Sequence, residues 1–298
     1  MDSLTLAKRQ GVSPIAGSRG HPGYSDLHVR DHENMDGVDE AIIEYYNQGR
    51  EQDRLNTIGR LEFLRTQELL ERHLPSPPAS IVDIGGGAGI HALPLQAIGH
   101  YVTLIDPVEL HVQRAKEAGV VDARIGDARH LQLGDGVVDV ALLLGPLYHL
   151  TEQSERIRAL TEARRVTRSG GLLFAACISR FASTYDGLVL HYLDDPDFER
   201  IVGDDLALGQ HRNPDRRSGW FTTAYLHHPE EVAQEVVAGG WSDVSVVAVE
   251  GPGAFADTQF WLENFERQKV LLRAIRRVES EASILGASPH LLAIAQNH

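Results

Sequence analysis

The stretch that decides the fold is Ile81-Val82-Asp83-Ile84-Gly85-Gly86-Gly87-Ala88-Gly89. A short apolar strand runs into clustered glycines, and a helical pattern follows over 88–99. Glycine lets the backbone turn tightly and approach a ligand closely, and a helix N-terminus favours negative charge. A tight strand-to-helix turn that binds nothing has the same local pattern, so the flanking sequence has to separate the two interpretations.

Strand and helix patterns alternate along the chain on both sides of this turn. Short apolar strands separated by helices are typical of a parallel sheet with helices on both faces. The last two strands, one after a helix and one at the end of the chain, are expected to pair antiparallel at one edge. We therefore predict an α/β fold with a doubly wound, mostly parallel, seven-stranded sheet. The predicted strands are 80–85, 101–106, 120–127, 138–145, 172–179, 243–253 and 291–295.

The regions outside this alternation suggest how the chain is organised. Residues 1–36 are polar and irregular, and we expect either a disordered tail or an arm that acts as a lid or is exchanged between copies. Apolar residues at helical spacing over 37–78 predict an N-terminal helical cap. The remainder, 79–298, is predicted to form one ligand-binding domain with an inserted helical and loop segment at about 180–228.

Composition excludes several classes of protein. The chain has 298 residues and a formal net charge of -14, which disfavours nucleic acids and anionic membranes as partners unless a basic patch is present. Cys177 is the single cysteine, so an intramolecular disulfide and a cysteine-ligated zinc cluster are ruled out. No signal-peptide core is visible, and no apolar run reaches the ~18 residues that cross a bilayer. We expect a soluble, cytoplasmic protein.

The spacing downstream of the glycines favours a nucleoside ligand. Asp106 ends the next strand, 21 residues after Gly85. A carboxylate there can accept hydrogen bonds from both ribose hydroxyls of an adenosine, which suits NAD or S-adenosylmethionine and disfavours NADP. The third strand ends in Asp127 and Ala128, an acid and a small residue that suit the edge of an adenine ring.

Five segments together resemble the class I S-adenosylmethionine-dependent methyltransferases. They are VDIGGGAG, LIDP, GDARHL, VDVALLLGPLYHL and VTRSGGLLFAA, in the family's order and spacing across residues 80–178. YYNQGREQDRL, GWFTTAYLHHPEE, VEGPG and LGASPHLLAIA extend the resemblance to a bacterial subgroup that methylates small molecules. NAD dehydrogenases usually have GxGxxG, whereas Ile90 follows Gly89 here. Strand four also lacks the Asn/Asp-Pro-Pro-Tyr motif of enzymes that methylate the amino groups of nucleic-acid bases.

The resemblance implies the Rossmann-like methyltransferase fold, and S-adenosyl-L-methionine as cofactor. It implies that Asp83 lies near the amino group of the donor, and that Asp106 binds the ribose. Tyr46 is expected to cover the sulfonium and Arg54 to pair with the donor carboxylate, unless they are a core tyrosine and a solvated arginine. The remaining donor-binding residues implied are Gly85, Gly87, Pro107, Val108, Asp127, Ala128, Leu144 and Gly145.

Two residues that follow strand four are the catalytic candidates. A base is needed only when the acceptor atom carries a proton, and His149, with Tyr148 beside it, follows the strand that ends next to the methyl group in this family. His149 could instead cap a helix or fill the core. An apolar acceptor pocket, or alternatively only the core of the insertion, is indicated by Tyr185, His191, Trp220, Phe221 and Tyr225. No metal site is predicted.

The sequence thus predicts an enzyme that transfers a methyl group from S-adenosylmethionine to a small, hydrophobic or natural-product-like acceptor. The transfer is expected to be an in-line displacement, with O-, C- and N-methylation all open. The alternatives are an NAD-dependent oxidoreductase and a non-catalytic protein that binds S-adenosylmethionine. A small-molecule acceptor is the expected partner, and a homo-oligomer is possible.

Overall fold

The computed structural model describes Ile42, Tyr45, Tyr46, Leu55 and residues 59–298. The arm predicted at 1–36 and most of the first half of the cap lie outside the described residues. The second cap helix is present as α1 (Arg60–His73), and it ends before Pro75 because proline cannot continue a helix.

The described part of the chain contains nine strands. They are β1 (Ser80–Ile84), β2 (Tyr101–Asp106), β3 (Asp122–Ile125), β4 (Val138–Leu143), β5 (Thr167–Ser179), β6 (Gln210–His211), β7 (Ala224–His227), β8 (Ser242–Ala248) and β9 (His290–Gln296).

Helices separate most of these strands, and none in the described ranges is long and apolar enough to span a membrane. After α1 they are α2 (Ala92–Ala97), α3 (Glu109–Ala118), α4 (Pro146–His149), α5 (Gln153–Val166), α6 (Ala182–Val189), α7 (Pro196–Leu208), α8 (Pro229–Ala238), α9 (Thr258–Leu262), α10 (Phe265–Arg276) and α11 (Ala282–Leu285), with 3-10 turns at Tyr192–Asp194 and Gly251–Phe255.

The sheet confirms the predicted architecture. Strands β3, β2, β1, β4 and β5 lie side by side in that order and run parallel. β9 then pairs antiparallel with β5, and β8 pairs antiparallel with β9 at the edge. This gives the expected seven strands and the expected antiparallel pair.

The described part of the sheet also contains two strands that were not expected. β6 and β7 come from the insertion and pair antiparallel with each other, and β7 continues alongside Ile178–Ser179 at the end of β5. These strands have two and four residues. They are too short to show the alternation of apolar and polar residues by which strands are recognised in sequence.

Alternate residues of a strand point to opposite sides of the sheet, and helices cover both of these sides. Ile81 packs with α1, α2 and α3, whereas Val82 and Ile84 pack with α5 and α8. The doubly wound arrangement leaves the carboxyl ends of the parallel strands at one edge of the sheet. Ligands of open α/β sheets bind at that edge.

Candidate active site

A cavity of about 230 Å³ lies at the carboxyl ends of β1, β2 and β4. Every described residue that the sequence assigned to the donor lines it, and so do both catalytic candidates. These residues are Tyr46, Asp83, Gly85, Gly87, Asp106, Pro107, Val108, Asp127, Ala128, Leu144, Gly145, Tyr148 and His149. Arg54 lies outside the described residues.

The glycine turn after β1 brings backbone to the wall of this cavity. Gly85 and Gly87 have φ of 71° and 56°, a region that residues with a Cβ rarely adopt. A Cβ on Gly85 would lie 2.6 Å from Cγ of Pro146, whereas a Cβ on Gly87 would meet no protein atom within 4 Å. Gly87 therefore faces open space in the cavity.

Asp106, at the end of β2, closes the turn from the other side. Its Oδ2 accepts a hydrogen bond from the amide of Gly87 at 2.9 Å, and its Oδ1 accepts from the amide of Val108 at 2.9 Å and from Nδ1 of His111 at 3.0 Å. A carboxylate offers about four lone-pair positions. One position therefore remains for a ribose hydroxyl, and a second becomes free when His111 turns away.

Asp83 is a buried carboxylate without a partner. It is 1% exposed, and neither of its oxygens has a hydrogen-bond partner within the described ranges. Burial, with the nearby charge of Asp106 as a second cause, raises the pKa of Asp83 to about 7. A buried polar group without a partner is costly, so a donor or a cation supplied by a ligand would stabilise it.

These features fit S-adenosylmethionine. The unpartnered Asp83 suits the ammonium group of the donor, Asp106 suits the ribose, and Gly87 allows the ligand to approach the backbone. Asp127 is bound within the protein, because both of its carboxylate oxygens accept hydrogen bonds from Arg129. That ion pair contributes to the low pKa of Asp127 and keeps an anionic carboxylate at the wall where an adenine edge is expected.

His149 ends α4, the single helical turn that directly follows β4. Its Nε2 lies 2.6 Å from the hydroxyl of Tyr46, and its Nδ1 lies 3.3 Å from the carbonyl oxygen of Thr223. A carbonyl oxygen only accepts, so Nδ1 carries the proton and Nε2 accepts from Tyr46. Burial lowers the pKa of His149 to about 4, so the imidazole is neutral at pH 7.

Only one of the five aromatic or histidine residues predicted for the acceptor lies beside His149. The ring of Phe221 stacks on that of His149 at 5.8 Å between centroids. Tyr45 and Tyr148 complete a cluster of rings around the pair. Phe221 is therefore the one predicted acceptor residue that packs beside His149, although it does not itself line the cavity.

The other four predicted acceptor residues lie elsewhere. Tyr185 donates to the carbonyl oxygen of Gly286, and Tyr225 packs under the guanidinium of Arg156. Trp220 packs with Phe198, Ile201 and Val202 in a separate small core. His191 lines a shallow groove beside Trp220. Local packing in the insertion uses these side chains, which is the alternative that the sequence left open.

Sequence reasoning missed several charged or titratable residues of the cavity, among them two histidines and a glutamate. His111 binds Asp106, His91 is buried with Nδ1 2.9 Å from Nε2 of Gln67, and Glu62 reaches the wall from α1. Burial lowers the pKa of His91 to about 4. Only His111 had a usable signal, because it lies on the first turn of the helix that follows Asp106.

Glu62, Glu250 and His290 place possible metal-ligand atoms within 4.8 Å of one another. Nδ1 of His290 lies 2.6 Å from Oε1 of Glu250, whose Oε2 accepts from Ser288 at 2.9 Å. Nδ1 of His290 also lies 3.8 Å from Oε2 of Glu62.

We expect Asp106→Asn to weaken binding of S-adenosylmethionine by about 1–3 kcal/mol, because a charge-assisted hydrogen bond to the ribose becomes a neutral one. Isothermal titration calorimetry measures the change. Asp122→Asn is a matched control, since Asp122 lies at the start of β3, away from this edge of the sheet. Equal affinities for Asp106→Asn and wild type would contradict the ribose assignment.

Comparison with known proteins identifies the domain. Residues 82–175 match the family model of a methyltransferase domain. The chain is 32% identical over 175 residues to a ubiquinone biosynthesis O-methyltransferase of Methylobacterium sp. (strain 4-46). The aligned region covers 56% of this chain and 61% of that protein. It is 33% identical over 132 residues to a protein of the same name from Agrobacterium fabrum (strain C58 / ATCC 33970), over 41% and 52% of the two chains. The chain thus spans less than two thirds of these curated relatives.

Solved structures share the fold. A methyltransferase from Thermotoga maritima, described as a possible histamine N-methyltransferase, aligns with a TM-score of 0.54 at 20% identity, over 87% of this chain and 99% of that one. An S-adenosylmethionine-dependent methyltransferase from Archaeoglobus fulgidus aligns with a TM-score of 0.52 at 17% identity, over 85% and 99%. At such identities the similarity shows the fold alone. Residues 82–175 are therefore similar to a methyltransferase domain, and the chain shares its fold with solved S-adenosylmethionine-dependent methyltransferases.

Proposed function

We propose that the chain transfers a methyl group from S-adenosylmethionine to a hydroxyl group of a small, hydrophobic acceptor. The half-buried Tyr46–His149 pair, hydrogen-bonded at 2.6 Å beside the donor cavity, is the observation that carries this proposal. A base that removes a proton is needed for a hydroxyl acceptor, and both relatives described above are named O-methyltransferases. Neither an oxidoreductase nor a non-catalytic binding protein is favoured by the matches.

The neutral imidazole is the group that takes up the proton. The carbonyl oxygen of Thr223 fixes the proton of His149 on Nδ1, which leaves the lone pair of Nε2 directed at the hydroxyl of Tyr46. The acceptor hydroxyl gives its proton to the oxygen of Tyr46 while Tyr46 gives its own to Nε2. Tyr46 and His149 thus form a two-residue relay that ends on the imidazole.

Charge balance allows a buried histidine to act as the base. When bound, S-adenosylmethionine supplies a methyl group on a positively charged sulfur and leaves as a neutral thioether. Burial disfavours the imidazolium form of His149 on its own. The positive charge that His149 gains replaces the one lost at sulfur, so the net charge of the enclosed site does not change.

The walls near His149 indicate the class of acceptor. Tyr46 and Tyr148 line the cavity and pack on the ring of His149, while Tyr45 packs on Tyr46 and Phe221 packs on His149. Aromatic walls favour flat, apolar molecules, so an aromatic alcohol suits the site best. A biosynthetic role is in line with the names of the relatives.

We expect His149→Gln and Tyr46→Phe each to lower kcat by about 10²–10⁴, because each interrupts the relay. Donor affinity should change less than twofold, since Phe keeps the ring of Tyr46 and Gln keeps a polar group at position 149. The measurement is turnover of a panel of phenols with S-adenosylmethionine, alongside calorimetry of donor binding.

His100→Gln is the matched control for this pair. His100 is also buried, at 4% exposure, but it precedes β2 at the opposite edge of the sheet from the cavity. Turnover by His149→Gln equal to that of wild type would show that His149 is not the base. Wild-type turnover by Tyr46→Phe alone would mean that the acceptor donates directly to His149.

A further inference from the structure

Helix α10 presents a basic face within an acidic protein. The segment 265–277 carries five basic residues and one acidic residue, whereas the whole chain has a net charge of -14. Arg273, Arg276 and Arg277 are exposed, and none of the three forms an ion pair with any residue that the structure describes. Many other arginines in the same ranges are paired with carboxylates, and these three, within five residues of one another, concentrate positive charge at the C-terminal end of α10.

The same face exposes apolar side chains. Phe265 is 66% exposed, Val270 is 43% exposed, and Phe260, just before the helix, is 44% exposed. Residues 265, 269, 273 and 276 follow one another at intervals of three or four, so they share one side of the helix. Lys269 lies over the ring of Phe265 at 4.2 Å, which places cation and ring together on that side.

The opposite face of α10 is fixed to the body of the protein. Leu271 and Ile275 pack with Leu61 and Leu262 in a small core. Leu61 is the neighbour of Glu62, which lines the cavity. The basic face is therefore held rigidly and presented outward by an element that also packs on the active-site helix α1.

We propose that this face, made of Phe265, Lys269, Val270, Arg273, Arg276 and Arg277, docks the protein on an anionic lipid surface. A helix with apolar and basic side chains on its exposed face binds in the headgroup region, with cations at the phosphates and apolar groups beneath them. A helix of 12 residues is roughly 18 Å long, enough to lie along the surface without crossing it. Phe265 and Val270 distinguish this partner from a nucleic-acid backbone, which offers them no apolar phase.

Vesicle flotation with the full chain tests the proposal. We expect binding to vesicles of phosphatidylcholine with phosphatidylglycerol, weak binding to phosphatidylcholine alone, and release by salt. The triple variant Arg273→Gln, Arg276→Gln, Arg277→Gln should lower the partition coefficient about tenfold or more. Phe265→Ser should lower it at constant charge.

The matched control makes the same change in net charge elsewhere. Lys116→Gln, Arg200→Gln, Arg212→Gln alters three exposed residues outside α10 and should bind vesicles as wild type does. Thermal melting and donor binding, which the triple variant should retain, show that it is folded. Equal binding of wild type to both kinds of vesicle, equal loss in both triple variants, or binding to a single-stranded oligonucleotide but not to vesicles would overturn the proposal.

Discussion

Asp83→Asn is expected to stabilise the ligand-free protein at pH 8 while weakening donor binding at least tenfold. The carboxyl group of Asp83 is buried, and its pKa is raised from 3.8 to about 7. Between those values the folded state holds a proton that the unfolded state has released, so the free energy of unfolding falls as pH rises. Asparagine does not titrate, so Asp83→Asn does not lose this part of the free energy of unfolding as pH rises.

The gain of Asp83→Asn over wild type should therefore grow from pH 4 to pH 7 and level off above it. A shift of about three pKa units corresponds to roughly 4 kcal/mol between the two plateaus. Urea unfolding at pH 5 and pH 8 covers about two of these units, so the gain should grow by roughly 3 kcal/mol between the two measurements.

Donor binding tests the same carboxylate independently. If Asp83 binds the ammonium group of the donor, binding near pH 7 must release part of a proton from wild type and none from Asp83→Asn. Calorimetry in buffers of different ionisation enthalpy counts that proton. The same pH dependence of unfolding for both proteins, or the same proton release, would contradict the assignment.

Gly87→Ala is expected to abolish tight donor binding in a protein that still folds. Gly87 has φ of 56° and its Cβ would enter the cavity without touching protein within 4 Å. The backbone strain costs about 1–2 kcal/mol. The added methyl group occupies space that the donor needs, so we expect affinity to fall by at least tenfold beyond what strain explains.

Gly119→Ala is the control for this strain. Gly119 ends α3 with φ of 106°, and a Cβ there would also meet nothing within 4 Å. It does not line the cavity. Calorimetry and thermal melting should show similar destabilisation for the two variants and lost donor binding for Gly87→Ala alone. Equal donor affinity in both would mean that the donor does not contact the glycine turn.

Most of the donor side of the site could be predicted because its residues lie at or just after the end of a strand. Once the strands are parallel and ordered, the residues at their carboxyl ends, such as Asp83 and Asp106, must meet at one edge. Glu62 and His91 escaped prediction because Glu62 lies on helix α1 and His91 lies in the turn just before α2. Whether they contact the cavity depends on how α1 and the start of α2 pack against the sheet, which a local sequence pattern does not predict.

The acceptor side was predictable only in part. Phe221 lies next to His149, whereas Trp220, its neighbour in sequence, packs with Phe198 in the insertion. Adjacent aromatic residues point to opposite sides in an extended segment, and tertiary packing decides which side faces the cavity. The aromatic residues of the insertion predicted an aromatic pocket, but only the tertiary packing shows which of them lies beside His149.

The hydrogen bonds of His149 join three parts of the chain that differ in sequence position by up to 177 residues, since Tyr46 precedes the sheet and Thr223 lies in the insertion. In the proposed reaction, the segment that contributes Phe221 beside His149 therefore also fixes, through the carbonyl oxygen of Thr223, which nitrogen of the base carries the proton. A change of residues 180–228 that admits a new acceptor would alter reactivity in the same step. Acceptor range and turnover in this architecture are expected to be inherited together, and swapping the insertion between relatives should transfer both.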